Sequence, residues 1–248
     1  MLIFTNLIKK NLLSSFIGLL FNFAAMFEIS VLILSVILGS VLAYFFSQTK
    51  GLSKFLLTFS GAFFMATAVL EIFPEVYHSQ NQFAGIFVLA GLLFQMLIES
   101  MSKGVEHGHV HFENKTNLPA GIFLGLFLHS FFEGTPLLHQ PTNHLLWAIF
   151  IHNIPISMVL FGALWKMKTP VYSKMIFLAA FAVAGPLGAL AGDFISEPLQ
   201  EAMLAFVAGI FIHIATVILF ESSSSHKFKA QKILSVLLGF VVAYLIIA

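Results

Sequence analysis

The chain has no cysteine, no arginine and one aspartate, Asp193. Without cysteine there is no disulfide and no thiolate metal site, so any metal chemistry must draw on His, Glu, Asp, Asn, Ser or Met. Charge of either sign is scarce. Charged residues make up 9% of the 248, and the net charge is +1, whereas soluble domains carry roughly a quarter charged residues. There is no basic stripe interleaved with exposed aromatics, which excludes nucleic acid as a partner. Apolar residues, 30 phenylalanines among them, reach 59%, and the mean hydropathy is +0.97. Such a chain cannot cover itself with a soluble surface; its solvent is the lipid bilayer.

Eight strong apolar spans are predicted, at about 29–46, 54–73, 83–101, 118–137, 144–165, 174–193, 199–220 and 231–248, each near the roughly 20 residues that cross the hydrocarbon core. They are long and continuously apolar, unlike the short alternating strands of a barrel. The expected fold is all-α, a polytopic transmembrane helix bundle forming a single domain over 28–248. Residues 1–27, with Lys9 and Lys10 ahead of an apolar stretch, read as a signal-like start, an interfacial helix or an extra N-terminal transmembrane helix.

Lysine sets the orientation. Lys50 and Lys54, Lys103 and Lys115, Lys166, Lys168 and Lys174, and Lys227, Lys229 and Lys232 follow alternate spans, while the loops between them carry Glu75, His78, His139, His144, Asp193, Glu197 and Glu201. By the positive-inside rule the lysine loops are cytoplasmic and the C-terminus is outside.

Polar groups within hydrocarbon are costly and usually mark function. In the fourth span His129 and Glu133 stand four residues apart, on one helical face. An imidazole and a carboxylate so placed can bind one cation, and suit zinc, iron or manganese better than magnesium or calcium; the alternative is a helix–helix hydrogen-bond pair. In the fifth span His152 and Asn153 precede Pro155, which removes a backbone donor and frees carbonyls as at many intramembrane ion sites; alone, this would be read as a packing kink. Glu71 and Glu75 flank Pro74 at the outer end of the second span, where Glu71 could draw cations to an entrance and Glu75 is read as solvated. Met65 is a candidate soft ligand, otherwise an apolar filler. His107, His109 and His111 alternate in a loop at about 102–117, a candidate cytoplasmic metal-binding tract. His213, alone in the seventh span, reads as a satisfied interior group.

His129-Ser130-Phe131-Phe132-Glu133-Gly134 and His152-Asn153-Ile154-Pro155 together resemble the ZIP (ZRT/IRT-like) metal transporters. The likeness extends to Glu71-Ile72-Phe73-Pro74-Glu75, Gly185-Pro186-Leu187-Gly188 and Phe206-Val207-Ala208-Gly209, and to the His loop. The resemblance implies uptake of zinc, iron or manganese into the cytoplasm across the cell membrane, with no prosthetic group and a homodimeric state. It makes His129 and Glu133 primary metal ligands, Ser130 and Asn153 secondary polar ligands, and His152 a ligand shared by many members. Two positions depart from the family pattern. Ile156 stands where a bridging Glu follows the proline, and Gly185 where the sixth-span motif has Glu. Both losses remove charge from the secondary site and point to one metal held at a time. The rival reading is a membrane-embedded zinc hydrolase acting on lipid, or a relative that binds metal without moving it. Against the hydrolase, no intramembrane aspartate is present to orient the histidines. The expectation is a transporter, not an enzyme.

Overall fold

The computed structural model describes residues 2–46, 50–78, 82–105, 120–140, 142–221 and 230–247, with side chains for all of these except 2–22, 24, 50 and 221. Among them there is no strand. Helices run α1 Leu2–Phe46, α2 Lys50–Thr67, α3 Phe73–His78, α4 Ala84–Ser102, α5 Ala120–Gly134, α6 His144–Trp165, α7 Val171–Gly192, α8 Glu197–Glu221 and α9 Ala230–Ile247. A π turn, Ala68–Ile72, joins α2 to α3 without a break, and a 3-10 turn, Leu137–His139, follows α5. Eight segments are long and apolar enough to cross a membrane, α2–α3 counting as one. α1 is continuous from Leu2, and its apolar spanning segment is Ala25–Phe46. α6 and α7 pass through Pro155 and Pro186 without interruption.

α6 lies innermost. It packs on α1 and α2, α2 packs also on α8 and α9, α4 on α8 and α5, and α5 on α7. About two thirds of α6 (67%) is buried, against 17% of α9 and 22% of α4, so the latter two lie at the edge of the bundle. Several of these contacts require glycine, two of them most tightly. A Cβ at Gly188 of α7 would run into the carbonyl oxygen of Phe131 on α5, and one at Gly91 of α4 into that of Phe206 on α8. Such small-residue contacts bring backbones close where lipid leaves no hydrophobic drive for helices to associate.

Two apolar clusters fill the interior. One, around Phe63, Phe64, Ile149, Val207 and Phe211, is shared mainly by α2, α6 and α8. The other, with Leu126, Ile156, Leu160, Leu164 and Phe181, lies toward the lysine-bearing ends of α5, α6 and α7.

Candidate metal centre

His129 is 9 residues from the start and 10 from the end of the span Ala120–His139, about 14 Å from either end at 1.5 Å per residue. That is mid-span. His129 and Glu133 both have side chains with 0% exposure, and Nε2 and Oε1 are 3.4 Å apart. His152, also at 0%, comes in from α6, its ring centroid 6.0 Å from that of His129 and steeply inclined to it. One ligand atom from each of the three residues lies within 4.8 Å of the other two. Among the described residues this is the one such group of His and carboxylate side chains.

The spacing is chemically informative. The edge of a tetrahedron is about 1.6 times its centre-to-vertex length, so zinc–ligand bonds of about 2.0–2.1 Å put ligand atoms about 3.3–3.4 Å apart. The His129–Glu133 separation of 3.4 Å therefore already matches two vertices. Small movements of His152 bring in a third and leave the fourth for water or a further ligand.

The far side of each imidazole is also held. His129 Nδ1 is 3.3 Å from Gln95 Oε1 on α4. His152 Nδ1 is 3.3 Å from Ser60 Oγ on α2, and Phe64 lies against the His152 ring at 4.3 Å between centroids, itself stacked on Phe211. Gln95 and Ser60 are fully buried. Neither was singled out in the sequence, although an uncharged polar residue near mid-span, as Gln95 is, carries the same intramembrane signal as the histidines.

The other candidate residues take different places. Asn153 is 3% exposed, and its Oδ1 has no hydrogen-bond partner among the described residues. Ser130 is buried toward α7, where a Cβ on Gly185 would sit 3.3 Å from its Oγ. Ile156, at 0% exposure, belongs to the second apolar cluster one turn beyond His152. Met65 is half-buried and packs on the first apolar cluster; on α2 it is Ser60 and Phe64, not Met65, that meet His152. Glu71 sits in the π turn, and its Oε1 accepts hydrogen bonds from Thr142 Oγ1 at 2.5 Å and His144 Nδ1 at 2.8 Å. It is thus tied to the loop and first turn that begin α6. Glu75 lines a cavity of about 500 Å³ at the end of the bundle away from the lysines, with His78, Pro136, His139, Gln140, Glu197, Gln200 and Glu201. His139 in turn lies 3.7 Å from Asp193. His213 Nε2 is 2.6 Å from Glu99 Oε2, which meets the expectation of a satisfied interior histidine. His107, His109 and His111 lie outside the described residues.

Fold and site thus define a multi-span membrane protein with a buried His–Glu–His cluster that has the chemistry of a transition-metal site. A family model described as ZIP Zinc transporter matches residues 111–247, more than half of the chain and all three cluster residues. The chain belongs to the ZIP zinc transporter family. Among relatives, it is 31% identical to Zinc transporter ZIP1 of Takifugu rubripes over 147 residues, covering 53% of this chain and 49% of that protein. It is 24% identical to Zinc transporter 11 of Arabidopsis thaliana over 256 aligned positions, covering 83% of this chain and 78% of the relative. The match to the first of these spans about half of that relative's length.

Proposed function

We propose that this protein carries a divalent transition metal, zinc before iron or manganese, into the cytoplasm through the cluster His129, Glu133 and His152. The observation that carries this reading is the convergence of these three fully buried side chains, from two helices, at mid-span. A carboxylate deep in hydrocarbon is expensive unless a cation or strong donors compensate it, and a site of two imidazoles and one carboxylate suits zinc.

A hydrated ion collects in the outer cavity, where Glu75, Glu197 and Glu201 concentrate cations. Pro136 of that cavity is three residues beyond Glu133, about one helical turn. Glu71 guards this end of the path. At the cluster the ion exchanges water for His129, Glu133 and His152, with Asn153 and Ser130 as neighbouring polar groups. Toward the lysine-bearing side, Leu126 and Ile156 close the way, so release requires helices to move against one another around the site. Ile156 and Gly185 leave room for one metal rather than two. Residues 107–111 would receive the ion in the cytoplasm.

Radiolabelled zinc uptake into proteoliposomes tests the reading. Wild type accumulates zinc, whereas His129→Ala and Glu133→Ala, expressed and monodisperse, do not; undiminished uptake by both variants refutes the site. Orientation is testable because the chain lacks cysteine. An impermeant maleimide should label Phe194→Cys (Phe194 is 89% exposed) from outside intact cells and Lys168→Cys only after lysis; the reverse pattern inverts the topology.

A further inference from the structure

We propose that Gln95 and Ser60 are positioning residues that fix the tautomer of the two histidines, so that both present Nε2 as the ligand atom. The proposal rests on the metal-site reading above and deepens it.

Ser60 has one hydroxyl hydrogen, and its Oγ donates it to the carbonyl oxygen of Leu57 at 2.9 Å. While that bond stands, the hydroxyl faces His152 Nδ1, 3.3 Å away, as an acceptor. In that arrangement His152 carries its proton on Nδ1, which makes Nε2 the lone-pair nitrogen. Gln95 acts alike on His129. Its carbonyl Oε1 faces Nδ1 at 3.3 Å and accepts that N–H, holding the ring proton there against Glu133 Oε1, which lies 3.4 Å from Nε2 and competes for it. Reversing the Gln95 amide would aim an NH₂ at Nδ1 and force the imidazole proton onto Nε2, between the ring and the incoming cation. A metal would then have to expel a proton at mid-membrane before binding. With both Nδ1–H groups engaged, the empty cluster already has two neutral imidazole lone pairs and one carboxylate.

The two partners are independent. They come from different helices, α2 and α4, and both are completely buried, where a hydrogen bond holds a ring more firmly than at a wet surface. Partners of this kind on a ligating imidazole orient the ring and raise its basicity, and their loss typically lowers metal affinity about 10- to 100-fold.

The experiment measures zinc Kd by chelator competition on the full-length protein in lipid nanodiscs. Gln95→Leu and Ser60→Ala should each weaken binding by about tenfold or more. Ser60→Thr, which keeps the hydroxyl, and Gln95→Glu, which keeps an acceptor, should bind within a few-fold of wild type or more tightly. In parallel, ¹⁵N-histidine NMR of the metal-free protein should give Nδ1-protonated imidazoles for His129 and His152, assigned by their loss in His129→Ala and His152→Ala. Wild-type affinity in both Gln95→Leu and Ser60→Ala, failure of the conservative pair to restore binding, or Nε2-protonated rings in the empty protein would each overturn the proposal. Absence of zinc binding by wild type would instead overturn the metal-site reading on which it rests.

Discussion

Glu133→Gln is the most revealing single substitution, because it should move two observables in opposite directions. The side chain keeps its shape and an oxygen, but the complex with M²⁺ loses its one compensating charge. His129 and His152 are neutral ligands, so the carboxylate reduces the charge of the loaded site from two to one, in a place with no exposure to solvent. Leaving a buried charge without its partner costs about 2–5 kcal/mol. At about 1.4 kcal/mol per tenfold, zinc affinity should fall by about 30-fold to a few thousandfold. The empty protein should respond otherwise. A buried carboxylate with no cation is itself a burden on the fold, so the metal-free variant should unfold at the same temperature as wild type or higher. Zinc stabilises whatever folded state it binds by mass action, so at zinc concentrations just above the wild-type Kd the rise in unfolding temperature expected of wild type should vanish. Thermal unfolding in detergent with and without zinc reads both effects. A variant that retains the zinc-dependent rise, or binds zinc within threefold of wild type, would refute the reasoning.

Gly188→Ala should destabilise the protein by about 1–3 kcal/mol through overpacking, since its Cβ meets the Phe131 carbonyl. Gly85→Ala, in the same class of apolar helix but with open space around the position, should be neutral or stabilising; equal unfolding curves for the two would contradict the packing argument. Thr142→Val removes one donor from Glu71 and loosens the tie between the π turn and α6. It should change the KM of zinc uptake while leaving the equilibrium zinc Kd unchanged, and a shifted Kd with an unchanged KM would dissociate Glu71 from entry. Lowering pH should weaken zinc binding, because protons compete for the same imidazole and carboxylate atoms as the metal. Affinity titrated across the acid range should fall monotonically as pH falls; binding independent of pH would remove these residues from the ligand set.

The spans and the central couple were legible because their signals are local. Continuous apolar runs near span length mark the spanning part of α1 and α2 to α9, and His129 and Glu133 announce themselves by one-turn spacing in hydrocarbon. His152 was legible only beside that couple. What escaped is tertiary. Ser60 meets His152 across 92 residues and Gln95 meets His129 across 34, and no local spacing encodes either contact. Glu71, expected as an open cation attractor, is bound to Thr142 and His144, more than 70 residues away. The π turn that carries it has no sequence signature of its own, and neither Glu71 nor Pro74 forecasts the extra residue in that turn. The N-terminal stretch, ambiguous between a separate element and an added span, continues α1 without a turn at Glu28, since Asn11–Met26 holds no proline or glycine pair to stop a helix.

The most direct measurement is zinc K-edge X-ray absorption on the tag-free, zinc-loaded protein in lipid. Two imidazole nitrogens and a carboxylate oxygen at about 2.0–2.2 Å, with the imidazole signal halved in His152→Ala, are the predicted result. A sulfur shell at about 2.3 Å, or a coordination sphere unaltered by removing either histidine, would place the metal elsewhere and contradict the account.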